Sequence, residues 1–214
     1  MSACCARHGQ EEFFGEKAAR RAARRYRAKG ADPMARSLAR RAAERGVEGA
    51  TVLEIGGGVG EVLLELLKRG AARGEVVELV PAYEPEARAL AAEAGVADRA
   101  GFRTADLVED PTAAEPADLV VLNKVVCCTP DGIALAGIAA SLARRTLVLS
   151  HPRENTLARI GFGAANLFFR LRRRRFRVFL HPRAALEAAV AAHGFALASE
   201  KDGPLFRLAA YERP

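Results

Sequence analysis

Between Thr51 and Ser150, short apolar runs alternate with longer segments in which apolar residues return every three or four positions. The runs TVLEI (51–55), EVVELV (75–80), AGFRTADL (100–107), ADLVVLN (117–123) and RTLVLS (145–150) predict strands covered on both faces. EVLLELLKRGA (61–71), PEARALAAEAG (85–95) and IALAGIAASLARR (133–145) predict helices long enough for right-handed crossovers between parallel strands. The rhythm changes after Ser150. Residues 152–175 predict a Phe-rich and Arg-rich helical insertion, and PRAALEAAVAAHG (182–194) predicts a helix opened by Pro182 and closed by Gly194. FALASEK and LFRLAAYE flank the turn Asp202-Gly203-Pro204, so a terminal antiparallel hairpin is expected. The fold class is therefore α/β: a doubly wound, mostly parallel, seven-stranded sheet with a C-terminal antiparallel hairpin and N-terminal helices.

Upstream of the first strand, residues 1–10 read as a mobile tail. Residues 11–30 read as one helix anchored by Phe13, Phe14 and Tyr26 and stopped at Gly30. Asp32 and Pro33 supply the N-cap and first residue of a second helix, whose Met34, Leu38 and Ala42 recur at four-residue steps to about Gly46. With 214 residues, half of them hydrophobic, and neither repeat nor linker, one domain is expected over 1–214. Within it the tail and helices fill 1–48, the ligand-binding core 49–150, and the insertion and hairpin 151–214. No apolar run approaches the roughly 20 residues of a membrane span, and no apolar signal segment opens the chain, so a soluble, cytoplasmic protein is expected.

A net charge of +7 comes mainly from arginines clustered in Arg20–Arg27 and Arg170–Arg177. Such stretches suit anionic partners, but a solvated face has the same composition. An RNA substrate is disfavoured, because there is no NPPY-like tetrapeptide and Asn123-Lys124 is not followed by prolines. A non-catalytic cofactor-binding protein that docks peripherally on anionic lipid, through Arg172 to Arg175 and the nearby phenylalanines, is a further reading. Cys4-Cys5 and Cys127-Cys128 are adjacent pairs, unlike a secreted disulfide framework, so reduced thiols are expected. A zinc site would need both pairs to converge with His8, and no metal is assigned. Nothing in the sequence specifies an oligomeric state.

The segment VLEIGGGVGEVLLELL sets Gly56, Gly57, Gly58 and Gly60 between a strand and a helix, where bare backbone admits a ligand. Counted from Glu54 the spacing is ExGxGxG, not the phosphate-binding GxGxxG, and an acid at the strand end repels pyrophosphate while suiting a cation. Glu54, Gly56, Gly58 and Gly60 fit the pattern (D/E)xGxGxG, and in this the chain resembles the class I S-adenosylmethionine-dependent methyltransferase family. The resemblance implies S-adenosyl-L-methionine as cofactor, held by this loop.

Glu78 closes the second strand 18 residues after Gly60, where it can accept both ribose hydroxyls; the family has an acid there too. The adjoining Leu79 is assigned to the same cofactor. Asp106 resembles the acid that receives the adenine amino group, with Leu107 offering its backbone amide. Asn123 ends the fourth strand, in reach of cofactor or acceptor, whereas Tyr83 is read as packing. His151, at the end of the fifth strand, and Cys128 are the catalytic candidates. Each competes with a bland role, a locally bonded histidine and a small buried hydrophobe. His181 is read as capping the helix after it.

The layout VVCCTP, LARRTLVLSHPREN and RVFLHP is similar to the magnesium protoporphyrin IX O-methyltransferase branch over about Thr51 to Tyr211. That branch carries a histidine where Cys128 stands and an aromatic residue where Thr129 stands, so its general base has no counterpart. The function implied is methyl transfer to oxygen, nitrogen or carbon of a small, planar or anionic acceptor. The N-terminal helices and Phe162, Phe168 and Phe169 of the insertion would close over it.

Overall fold

The computed structural model of the chain describes residues 9–213, which leaves Cys4, Cys5 and His8 outside the described part. Five parallel strands form the body of the sheet: β1 (Thr51–Ile55), β2 (Arg73–Glu78), β3 (Ala100–Thr104), β4 (Ala117–Asn123) and β5 (Ala143–Pro152). β6 (Ala196–Asp202) and β7 (Phe206–Glu212) extend it in the order β3-β2-β1-β4-β5-β7-β6. β7 lies antiparallel to both β5 and β6. The later strand takes the inner place because FRLAAYE is largely buried, whereas ALASEKD is exposed along most of its length and suits an edge.

Alternation along each strand sorts the core into two layers. Val52, Val76, Leu119, Val121 and Val148 face one side. There they meet α2 (Glu16–Lys29), α3 (Pro33–Ala43), α4 (Glu61–Leu67) and α5 (Glu84–Glu93). Leu53, Ile55, Val77, Val120, Leu122, Leu147 and Leu149 face the other side, under α6 (Gly132–Leu142) and α8 (Arg183–Ala191). Burial on both faces explains why these strands read as apolar runs. The helix between those two, α7 (Thr156–Leu171), belongs to the insertion.

The structure corrects the expected 11–30 helix. It is two helices, α1 (Gln10–Phe14) and α2, separated at Gly15, which is extended at φ −69° and ψ −170°. A Cβ on Gly15 would stand 2.8 Å from the Glu11 carbonyl oxygen, so only glycine fits this corner. The corner turns α1 into an aromatic cluster in which the Phe13 ring stacks on Phe176 at 4.8 Å, with Phe14 and Phe169 edge-on to Phe176. Nor does the tail extend to residue 10, for Gln10 is buried.

α3 starts as its sequence signals. Asp32 Oδ1 accepts from the amides of Met34 (2.7 Å) and Ala35 (2.9 Å), and Oδ2 pairs with Lys124 Nζ at 3.1 Å. Burial works against the Asp32 charge, but the two amides and Lys124 outweigh it and leave the pKa lowered. Asp32→Ala is therefore expected to cost about 0.5–2 kcal/mol in urea unfolding, the usual range for a lost N-cap.

Candidate functional site

Strand order reverses between β1 and β4, and side by side their carboxyl ends leave the crevice where open α/β sheets place ligands. A cavity of about 360 Å³ lies there, lined mostly by apolar atoms and within the usual size of a small-molecule site. Its floor is Ile55 to Gly58 from β1, Val77 to Val80 from β2, Ala105 to Glu109 after β3, and Asn123 to Val125 after β4. A second hollow, of about 480 Å³, opens at the amino ends of the strands, among Asp98, Arg99, Glu115 and Arg144. It is lined by Gly74 and Gly101, but neither has a positive φ and no helix start is among its lining residues, unlike the first.

Gly56, Gly58 and Gly60 all have positive φ, so the loop takes a path that side-chain-bearing residues rarely follow. A Cβ on Gly58 would also meet the Tyr83 ring at 3.3 Å. Gly57 has no room for another reason, since a Cβ there would stand 2.6 Å from the Glu54 carboxyl carbon. Gly56, Gly57 and Gly58 line the cavity, while Gly60 stands behind them as the residue preceding α4.

Glu54 differs from its expected place. Its side chain is 1% exposed, lies beneath the loop and is absent from the cavity wall. Gly60, at the N-cap of α4, has no side chain to satisfy the first amides, and Glu54 does so from the strand, with Oε2 accepting from Leu63 N at 2.7 Å. Burial pushes its pKa up to about 8, against the pull of the Leu63 and Val62 amides and with help from the Glu78 charge. The acid at the strand end is thus a helix cap that braces the loop.

Glu78 is on the wall. Oε2 accepts from Gly58 N at 2.8 Å and Oε1 from Val80 N at 3.0 Å, which ties the glycine loop to the end of β2 and leaves further lone pairs for a ligand. Half-buried in the cavity wall, it has a raised pKa through desolvation, with the Val80, Gly58 and Leu79 amides opposing the shift. Leu79 and Leu107 line the cavity beside it. Asp106 also lines it; Oδ1 accepts from Val108 N at 3.0 Å, whereas the buried Oδ2 has no partner among the described residues. Tyr83, expected only to pack, is largely buried but contributes to the wall.

Asn123 lies at the cavity, its Oδ1 accepting from Ser150 Oγ at 3.2 Å. The neighbouring His151 does not. Alternation along β5 sends its ring to the other side, where it is 2% exposed with Nδ1 3.0 Å from the Pro152 carbonyl oxygen. Burial, with Arg207 and Arg183 nearby, lowers its pKa and keeps it neutral. The expectation that His151 faces a ligand as general base is corrected on this geometry. Cys128 is on the wall, but its Sγ donates to the Lys124 carbonyl at 3.3 Å and its pKa is raised well above the ordinary thiol value by the Cys127 hydrogen bond and by burial. It stays a thiol. His181 does not cap α8; its Nε2 meets the Thr129 carbonyl at 3.0 Å and pins the loop after Cys128.

Several wall residues were not singled out as ligand contacts in the sequence. Gln10 and Phe14 arrive from α1, and Asp32, Lys124 and Asp131 from loops. Gln10 is 4% exposed, its Nε2 donates to the Cys128 carbonyl at 3.2 Å, and its buried Oε1 has no partner among the described residues. Lys124 holds a left-handed φ of 61°, fixed by its amide to Ser150 Oγ (2.8 Å) and by the Asp32 ion pair. The adjacency of Asn123 to Lys124 at a strand end was the signal for Lys124, and the expected closure of the N-terminal helices the one for Gln10 and Phe14.

No curated protein matches the chain. Many solved structures share its fold, three of them as follows, at low identity. The magnesium protoporphyrin IX methyltransferase of Synechocystis PCC 6803, with S-adenosylhomocysteine bound, superposes with a TM-score of 0.73 at 20% identity, over 95% of this chain and 97% of that one. An O-methyltransferase family protein from Burkholderia thailandensis gives 0.70 at 21%, over 96% of this chain and 63% of that one. An O-methyltransferase family 2 protein from Planctomyces limnophilus DSM 3776, in complex with apigenin, gives 0.66 at 20%, over 92% and 62%. The family model for a methyltransferase domain matches residues 23–200, from α2 through β6, and the chain belongs to that family.

Proposed function

We propose that the chain is an S-adenosylmethionine-dependent methyltransferase that works on a small molecule, with residues 1–214 acting as one catalytic unit in the cytoplasm. The observation that carries this reading is a pair of acids, Glu78 and Asp106, on one largely apolar wall, with Asp106 Oδ2 buried and without a partner among the described residues. A lone buried acceptor costs about 1–3 kcal/mol until a donor reaches it, and an adenine amino group is such a donor. Glu78 takes the ribose hydroxyls, the Gly56–Gly58 backbone admits the amino-acid end, and Leu79, Leu107 and Asn123 complete the contacts. Glu54 acts through the loop it braces. Bound S-adenosylhomocysteine in the Synechocystis enzyme supports the cofactor, and bound apigenin in the Planctomyces protein supports a small acceptor.

When bound, the cofactor supplies an electrophilic methyl group on its sulfonium. What the chain supplies is placement, which for an in-line displacement accounts for much of the acceleration. Gln10, Phe14, Asp32, Lys124 and Asp131 form the end of the cavity left for the acceptor. Lys124 can orient an anionic group and Gln10 Oε1 can accept from a donor. With His151 turned away and Cys128 held as a thiol, the acceptor's own acidity supplies the nucleophile. The reduced pair Cys127 and Cys128 supports a cytoplasmic setting.

Methyl-tritiated cofactor mixed with a fractionated cell extract tests this. Label should be recovered in the small-molecule fraction; label confined to RNA or protein would contradict the reading.

A further inference from the structure

The insertion helix α7 has a face that none of the described residues covers. Ala158, Phe162, Ala165 and Phe169 turn toward the protein, with Ala158 and Phe169 buried. At helical spacing Leu157, Ile160, Ala164, Leu167, Phe168 and Leu171 form a second apolar stripe, on an arc of about 100° beside the first. All six are exposed, Ile160 at 65% and Leu171 at 74%. Five large apolar side chains in one stripe make more than the scattered exposure of an ordinary surface.

The charge around this stripe is of one sign. Arg159 and Arg170 flank it, and Arg172 and Arg173 follow its end, with Arg172 lying over the Phe168 ring at 5.2 Å. None of these four has a carboxylate within ion-pair distance among the described residues. By contrast, Arg20, Arg25 and Arg27 of α2 each pair with a glutamate. Exposed apolar side chains beside unpaired guanidinium groups complement a surface that is apolar within and anionic at its rim. No described helix is long and apolar enough to cross a membrane, so α7 is suited to lie in the interface.

We infer that the Leu157–Leu171 face of α7, with Arg159, Arg170, Arg172 and Arg173, docks the protein on anionic lipid bilayers. The inference does not depend on the proposed activity. Co-sedimentation with phosphatidylcholine vesicles, with and without about one third phosphatidylglycerol, tests it. The protein should pellet with the anionic vesicles, at least tenfold more strongly than with neutral ones, and be released by salt at about 0.5 M. Leu167→Glu and the triple variant Arg170→Gln/Arg172→Gln/Arg173→Gln should each weaken binding at least tenfold. Leu167 is fully on the exposed stripe, so unchanged thermal midpoints should show both variants folded. Equal affinity for neutral vesicles, or binding unaffected in both folded variants, would overturn it. So would a wild-type dimer that ignores vesicles and that Leu167→Glu dissociates, or salt-sensitive RNA capture without vesicle binding.

Discussion

Glu78→Ala is expected to weaken S-adenosylhomocysteine binding at least tenfold in calorimetry, about 1.4 kcal/mol, and Gly58→Val to do the same by a different route. The alanine variant loses the ribose acceptor and leaves the Gly58 and Val80 amides without their 2.8 Å and 3.0 Å partners, so the loop loses its tie to β2. Hydrogen bonds to a charged group are typically worth about 1.5–3 kcal/mol, which makes tenfold a lower bound. Gly58→Val keeps Glu78 but forces a β-branched residue to φ +58°, with its Cβ already 3.3 Å from Tyr83 and its methyls entering the cavity. Glu78→Gln, which retains one carbonyl acceptor, should fall between wild type and Glu78→Ala. Unchanged affinity in both folded variants would remove the pocket from the account.

The second large effect is on stability, at Glu54. Glu54→Ala leaves the Leu63 amide, and the Val62 amide beside it, buried without an acceptor and opens a hole under Gly57, a loss of about 3 kcal/mol in urea unfolding. Glu54→Gln keeps an acceptor for Leu63 and should retain most of the stability, with a distinctive pH dependence. The folded-state pKa of Glu54 is raised, to about 8 from 4.5. Its stability contribution is therefore fully present below pH 4.5, where the acid is protonated in both states. It is lost as pH rises toward 8, because only the unfolded chain ionises freely. Glu78 shifts in the same direction and remains in both proteins. Glu54→Gln should thus gain on wild type between pH 5.5 and pH 8.5 as measured by paired urea titrations (about three pH units, spanning the raised pKa). A constant difference across that window would mean that Glu54 is not a buried acid.

The sheet was legible because its signals are local. β1 and β4 were bounded to the residue, since each is an apolar run ended by glycine or by a polar turn. The right-handed crossovers then leave few ways to order five parallel strands. α1 was misread because helical composition continues through Gly15; what breaks the helix there is a backbone approach to Glu11, invisible in a propensity. β7 was seen as half of a hairpin, but its place beside β5 depends on which of two neighbouring strands buries more, a comparison made only once the sheet exists.

The site divides on the same line. Residues tied to the glycine loop by short spacing, Gly56 to Gly58 and Glu78, stand on the cavity wall as the pattern implied. Orientation was the harder quantity. Glu54 and His151 are each at a strand end, but one residue of alternation decides whether such a side chain meets the cavity or the core, and both turned inward. The roof residues Gln10 and Phe14 come from a helix more than 40 residues before the loop, brought over it by ring packing among Phe13, Phe14, Phe169 and Phe176. The sequence suggested that the N-terminal helices close over the acceptor, but no period marks which side chains reach it, and Phe162, Phe168 and Phe169, expected there too, are not on the wall.

A crystal structure of the protein soaked with S-adenosylhomocysteine tests the central claim most directly. Its adenosine should lie at the ends of β2 and β3, with ribose on Glu78 and the adenine amino group on Asp106 Oδ2, and its amino-acid end over Gly56 to Gly58. Nucleoside density in the hollow at the opposite strand ends, or none at saturating ligand, would contradict it.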